Sequence, residues 1–381
     1  MPECGGDLLR INYIARYLKS QGHRLTLVSY YENAKPDVQA AKTLYDQVYV
    51  VKRHRWWSAF YSALFLLKGL PIQCGYYYSR NYNQLFKKVS KTEKPDLYIS
   101  HLLRMVPFLE NQQLHDKSIV EMTDALSKTY SLSSGAKGNR LLRTIYKVEK
   151  RLIAQYERYV IEHYKKVVLV SQADIDYLQK GLSTVPSSMA LHTNGVECHT
   201  DEHNDYDTLK ICFIGHMQSL QNQDAAIHFV NDIFPLILQK QPQARFYIVG
   251  AHPPKNIQKL HNGHNIFVTG FVDDLNSFVS DACVAVAPVQ IAAGIQNKVL
   301  VAMGCNIPVV LTPLIAQSIP ELTDGKNCYI KKDSREFADC CLKIMSDKDL
   351  RNKIAQQGNA MVHRYYSWHE KLKGYEVMPT R

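Results

Sequence analysis

The sequence has no CxxC pair and no regular cysteine spacing. Its nine cysteines, at 4, 74, 198, 212, 283, 305, 328, 340 and 341, are odd in number, and the last two are adjacent. That pattern argues against a disulfide framework or a zinc site and for reduced thiols in a cytosolic setting. Long apolar runs are also missing. The longest candidate, Trp56–Leu67, falls well short of the ~20 residues that a membrane-spanning helix needs. The opening Met1-Pro2-Glu3-Cys4-Gly5-Gly6 has neither a basic start nor an apolar core, so no signal peptide is expected. An acidic balance to the basic residues is missing in one half only. Residues 1–200 hold 28 Lys+Arg against 17 Asp+Glu, whereas residues 201–381 hold 18 of each. This rules out a uniformly basic coat and implies that only the first half meets an anionic partner.

What is present describes a packed protein. Apolar residues make up 46% and charged residues 21% of 381, a length that suits two domains better than one. Of 24 tyrosines, 18 lie in the basic half. Short β-rich runs alternate with helical stretches. Leu8–Gly22 reads as a helix closed by glycine, and Arg24–Ser29, Asp96–His101, Ser118–Asp124 and Lys165–Ser171 read as strands. The polar stretch Glu197–Asp207 is the best linker. The pattern then restarts with strands at Lys210–Gly215, Ala244–Gly250, Asn265–Gly270, Cys283–Pro288 and Pro308–Thr312, and a helix at Asp224–Gln239. Strands with few polar breaks suit parallel sheets covered on both faces, and the alternation predicts two doubly wound α/β domains. A ligand is then expected at the carboxyl ends of the strands, in a cleft between the halves.

The second half carries the informative motifs. Phe213-Ile214-Gly215-His216 and Phe246–Gly250 end strands in glycine turns, and Val268–Asp274 follows. Ala287-Pro288, then Gly294-Ile295-Gln296-Asn297-Lys298-Val299-Leu300-Val301-Ala302-Met303 and Pro308-Val309-Val310 complete the series. A glycine turn before a helix N-terminus leaves free backbone N–H groups and a positive dipole end. With one ammonium, Lys298, within a turn, this set suits a diphosphate. The order and spacing resemble the nucleotide-sugar domain of glycosyltransferase family 4, in particular the bacterial cell-surface polysaccharide type. Thr123–Ser127, Lys68–Pro71 and His192–Val196 resemble segments of the same group.

That resemblance implies a GT-B fold, two Rossmann-like domains facing a central cleft. It implies an acceptor-binding domain over 1–200 lacking its first strand, a nucleotide-sugar domain over 206–362, and a C-terminal helix over 363–381 returning to the first domain. Gly5-Gly6 resembles the family's first glycine loop, which normally follows a strand; here either the reading frame starts late or the sheet lacks that strand. The donor site implied is Gly5, Gly6, Gly215, His216, Val272, Gly294, Ile295, Asn297, Lys298 and Val301. Two departures stand out. The family's Glu–seven residues–Glu pattern falls on Ala293 and Val301, and valine cannot accept a hydrogen bond from a ribose. The basic residues that the family usually has just after Gly215 and about six residues later fall on His216 and Asn222.

In the first half, His101 and Arg104 follow one strand end, and Asp124 and Ser127 another. The resemblance implies that retaining transfer proceeds by front-face attack, so that support of the departing diphosphate matters more than a dedicated base. Lys298 is accordingly the leading catalytic candidate, His101 and Asp124 orient the acceptor, and Arg104 and Ser127 line its side. No metal and no cofactor beyond the donor substrate is expected.

The basic half has one more feature. Lys52-Arg53-His54-Arg55-Trp56-Trp57 opens the apolar run to Leu67, closed by Lys68. Cationic flanks and paired tryptophans describe an interfacial helix, and removing Lys52, Arg53 and Arg55 is expected to weaken membrane binding. Leu141, Ile145, Val148, Leu152, Tyr156, Tyr159 and His163 form a second helical stripe. The expected function is a retaining glycosyltransferase, peripheral to the cytoplasmic face of the membrane. It moves a sugar from a nucleotide sugar to a lipid-linked or glycan acceptor in surface-polysaccharide synthesis. The alternative is a catalytically impaired relative serving as a partner subunit. Nucleic acid is not expected as a partner, because no recognised binding motif is present.

Overall fold

A computed structural model of the chain describes residues 6–33, 36–133, 140–180, 187–199, 205–290 and 297–378. They divide into two compact units, Met1–Asn194 with Leu372–Arg381, and Gly195–Lys371.

The principal elements of the first unit are α1 (Gly6–Ser20), β1 (Thr26–Tyr31), β2 (Gln47–Lys52), α2 (Ser58–Leu67), α3 (Ile72–Tyr77), α4 (Arg80–Glu93), β3 (Tyr98–His101), β4 (Ser118–Thr123), α5 (Leu126–Ser133), α6 (Arg140–His163), β5 (Lys166–Leu169), α7 (Gln172–Gln179) and β6 (Met189–Leu191). Two parallel sheets result, β1-β2 and β3-β4-β5-β6. Every residue of β4 and β5 is buried, as near-continuous apolar strands covered on both faces require. β1 and β3 are only partly buried. Among the described residues, no strand joins the two sheets and none precedes α1.

Two expectations about side chains change here. Arg53, read as part of a basic surface, is buried. It donates to Ser58 Oγ at 2.7 Å, pairs with Glu32, bonds the Tyr76 carbonyl, and lies over the rings of Tyr30, Tyr76 and Tyr77. Three electron-rich faces and a carboxylate make a burial site for a guanidinium. The inward stripe of α6 is also rotated from the expected one. Ile153, Tyr156, Val160 and Ile161 are buried, with Glu149 and Glu157, while Ile145, Tyr146 and Val148 are exposed. Two buried acids had disguised the true face.

The second unit contains β7 (Asp207–Ile214), α8 (Leu220–His228), β8 (Arg245–Val249), β9 (Ile266–Gly270), β10 (Ala282–Ala287), α9 (Asn297–Gly304), β11 (Val309–Leu311), β12 (Tyr329–Ile330), α10 (Ser334–Ser346), α11 (Lys348–Tyr366) and α12 (Trp368–Leu372). Its six strands form one parallel sheet, ordered β12-β11-β10-β7-β8-β9. The long helix expected at 224–239 is interrupted by a π-turn at Phe229–Ile233 before resuming over Phe234–Lys240. Pro235, lacking an N–H, sits at the restart and explains the break. The polar stretch after Val196 packs on this unit: His199 N–H donates to the Gly304 carbonyl at 2.9 Å and Asn276 to Glu197 at 3.0 Å.

From Leu372 onward the chain belongs to the first unit. Lys166 Nζ donates to the carbonyls of Gly374, Tyr375 and Val377 at 2.9, 2.7 and 3.0 Å. Tyr375 OH donates to Glu121 at 2.8 Å, and Arg10 grips the same buried carboxylate with two nitrogens. Among the described residues after Leu372, 373–378, none is helical.

Candidate functional site

In the second unit, chain order reverses at β7, which lies between β8 on one side and β10 on the other. Ligands of open α/β sheets sit outside the carboxyl ends of the strands at such a switch point. Gly215 follows β7 and Gly250 follows β8. A Cβ on Gly250 would lie 1.7 Å from the Gly215 carbonyl oxygen, so only glycine lets these two strand ends meet. Gly215 N–H donates to the Val249 carbonyl at 2.9 Å and Gly250 N–H to that of Gly270 at 3.2 Å. Three neighbouring strand ends are thereby tied at one corner.

Lys298, in the first turn of α9, reaches back to this corner. Its Nζ donates to Asn222 Oδ1 and lies 5.1 Å from the centre of the Phe213 ring. Desolvation by partial burial lowers its pKa to about 8. Asn222 is itself buried and donates to the His216 carbonyl at 3.0 Å, with its amide packed where a side chain on Gly215 would be. Asn222 thus couples the glycine turn to Lys298. His216 is exposed, its ring 6.1 Å from that of His252. Asn297 is exposed at the start of α9. Val301 and Val272 pack, half-buried, against the hydrophobic core. Gly5, Gly294 and Ile295 lie outside the described residues, and Gly6 opens α1.

In the first unit the carboxyl ends of β3 and β4 frame a cavity of about 170 Å³ lined by Gln73, Leu102, Arg104, Met122, Thr123, Asp124 and Leu126. Its backbone is unusual. Leu102 and Thr123 have φ of 77° and 66°, a region disfavoured for any side chain and most of all for a β-branched one. Asp124 N–H donates to the Met122 carbonyl at 2.9 Å, making a γ-turn centred on Thr123. The Thr123 carbonyl accepts from Val170 N–H at 2.9 Å, and Thr123 Oγ1 lies 3.2 Å from Asp124 Oδ1. The Arg104 guanidinium stacks 4.3 Å from the centre of the Tyr77 ring.

Of the four acceptor-side candidates, the structure brings Arg104 and Asp124 together in this cavity. His101 ends β3 half-buried and does not line it. Ser127 is buried on the other side of the turn, its N–H donating to Glu157 Oε1 at 3.2 Å. It borders a separate cavity of about 260 Å³ with Glu157, Arg158, Tyr177 and Lys180.

Three residues with a part here escaped sequence reasoning. Gln73 lines the cavity from α3. Glu149 of α6 accepts from Ile72 and Gln73 N–H at 2.7 and 2.9 Å, capping α3. Glu157 of α6 caps α5 through Ser127. Burial raises both carboxyl pKa values, that of Glu157 to about 7. The signal for Glu157 was its place among Ile153, Tyr156, Val160 and Ile161, all at helical spacing.

Residues 208–347 match the family model described as Glycosyl transferases group 1, and this segment is a glycosyltransferase domain. An "Uncharacterized 44.6 kDa protein in cps region" of Klebsiella pneumoniae is 20% identical over 378 residues, 96% of this chain and 93% of its own. Two solved structures are similar over 98% of this chain. Anabaena Alr3699/HepE in complex with UDP and glucose has a TM-score of 0.57 at 12% identity, with 96% of it covered. A glycosyltransferase from Rickettsia africae ESF-5 has a TM-score of 0.58 at 14% identity, with 94% covered. The chain spans only 45% and 58% of two TarM crystal structures. The fold is GT-B, with two Rossmann-like domains.

Proposed function

We propose that this chain is a retaining glycosyltransferase of the family 4 type. It transfers a sugar from a nucleotide sugar to a lipid-linked or glycan acceptor in surface-polysaccharide synthesis, at the cytoplasmic face of the membrane. The observation that carries the reading is Lys298, poised at the switch point of the matched domain beside the Gly215–Gly250 corner. The crystals of HepE with UDP and glucose support a nucleotide sugar as donor, and the cps-region relative supports the polysaccharide setting.

In this mechanism the donor diphosphate lies along the glycine corner, with its developing charge opposite the Lys298 ammonium. A desolvated ammonium stabilises a departing diphosphate more strongly than a solvated one. The glycosidic C–O bond to the phosphate breaks while the acceptor hydroxyl oxygen bonds to the same face of the anomeric carbon. The acceptor proton passes to the leaving phosphate oxygen. Positive charge comes from Lys298 and backbone N–H groups in this scheme, so transfer should persist in EDTA. Arg104 and Asp124 are assigned to the acceptor: the cation to an anionic group, the carboxylate to a sugar hydroxyl. Val301 offers the ribose only an apolar contact.

The test is transfer of radiolabel from a panel of nucleotide sugars to lipid-linked acceptors. Wild type should transfer from one donor, and Lys298→Ala should lose roughly 10²–10³-fold in rate, as for removal of one preorganised donor of positive potential. Equal transfer by Lys298→Ala overturns the site.

A further inference from the structure

The first unit displays an apolar face that water should disfavour. Trp56 is 72% exposed, Trp57 44%, Phe60 56%, Leu66 42% and Leu67 85%. They lie on the short turn Arg55–Trp57 and on α2, whose ten residues include no charge. The rings form a continuous ladder, with Trp56–Trp57 at 4.6 Å, Trp57–Phe60 at 5.8 Å and Phe60–Tyr61 at 5.3 Å between centroids. At the inner end Tyr61 meets Tyr78, which stacks on buried Phe108. The exposed rings are therefore mounted on the core.

Positive charge flanks this face along the chain. Residues 47–92 contain eight Lys+Arg and no Asp or Glu. Seven of the eight are exposed; the other, Arg53, is the buried anchor beneath the turn. A helix of ten residues is about 15 Å long, half a bilayer core, so it can lie in an interface and cannot span one. Aromatic side chains at the level of the headgroups, with cations around them, match an anionic bilayer. A second copy would bring Lys52, Arg55 and Lys68, which border the turn and α2, against themselves across a twofold interface.

This face is joined to the cavity. A Cβ on Gly75 would lie 2.4 Å from the Tyr61 carbonyl oxygen, so α3 packs on α2 backbone to backbone. The same α3 supplies Gln73 to the cavity and Tyr77 to Arg104.

We propose that the Arg55–Trp57 turn and α2 dock this chain on an anionic bilayer, and that α3 holds the Arg104–Asp124 cavity against that surface, so that a lipid-borne acceptor with an anionic head reaches it from the membrane. The second clause rests on the acceptor reading given above; the first does not.

The test uses the full chain and vesicles of phosphatidylcholine, with and without phosphatidylglycerol. Wild type should sediment with the anionic vesicles and release as salt rises. The triple variant Trp56→Ser, Phe60→Ser, Leu67→Ser should lose at least about tenfold in partitioning, since each change removes a large membrane-facing group. Its melting temperature and nucleotide affinity should stay at wild-type values. A second variant, Lys52→Gln, Arg55→Gln, Lys68→Gln, should lose the salt-dependent part and spare buried Arg53. Transfer to an acceptor embedded in vesicles should fall with partitioning, while transfer to a short-chain soluble analogue should not. Failure of wild type to bind vesicles, equal binding by the triple variant, or a wild-type dimer that this variant splits would each overturn docking. Vesicle binding without transfer to any acceptor would keep the docking surface and sink the acceptor route.

Discussion

Lys298 and Asn222 form a pair in which a neutral, buried amide holds a half-buried ammonium. The lowered pKa, about 8, means that Lys298 is charged below that pH and loses its proton above it. Affinity for a nucleoside diphosphate should therefore be full below pH 8 and decline as pH rises through it, read by calorimetry. Asn222→Asp places a carboxylate in the same contact. The ion pair holds the proton to higher pH but occupies the charge meant for the ligand. Affinity should fall about tenfold or more near neutrality, and its decline above pH 8 should flatten. If Asn222→Asp leaves both affinity and pH profile at wild-type values, the two side chains do not work together.

Among elements, α6 organises the cavity of the first unit. It passes behind α3 and α5 and caps each with a buried carboxylate, Glu149 on one and Glu157 on the other. The first turns of those two helices bring Gln73 and Leu126 to the cavity wall. Glu157 keeps its proton to about pH 7 in the folded chain, against an ordinary value of 4.5. The folded state thus binds more protons than the unfolded state between those values, and stability should decline as pH rises through that window. Glu157→Gln retains an oxygen for Ser127 N–H and removes the titration. Its melting temperature should vary less between pH 4.5 and 7 than that of wild type, by differential scanning calorimetry. An identical slope for both would mean that Glu157 does not titrate as buried.

At the scale of the whole molecule, the tail after Leu372 is fixed by Lys166, buried and bonded to three tail carbonyls, with its pKa lowered to about 8 by desolvation. Lys166→Met leaves those carbonyls without their donor and should destabilise by about 2–4 kcal/mol, a lost set of buried charged hydrogen bonds. Limited proteolysis should then cut first after Leu372.

How much of this was legible in the sequence differs between the two units. In the second, β7, β8 and β9 are compact apolar runs ending in glycine, so local pattern and tertiary position agree, and Gly215, Gly250 and Lys298 could be placed in advance. The first unit hides its logic in contacts distant along the chain. Arg53 looked like surface charge because its three tyrosine partners come from other segments. The stripe of α6 was misread because Glu149 and Glu157 count as polar until the helix ends they cap are known. Thr123 announces no turn, since its left-handed φ is imposed by the sheet around it. β2, nowhere fully buried, and β6 and β12, of three and two residues, had too little pattern to single out.

The central claim is that Lys298 and the glycine corner hold the diphosphate of a nucleotide donor. Calorimetric titration with UDP, GDP, ADP and CMP tests it most directly. Wild type should show saturable binding of one nucleotide, and Lys298→Ala should bind it at least about tenfold more weakly, the loss of one charge-assisted contact. No binding of any nucleotide by wild type, or undiminished binding by Lys298→Ala, would contradict it.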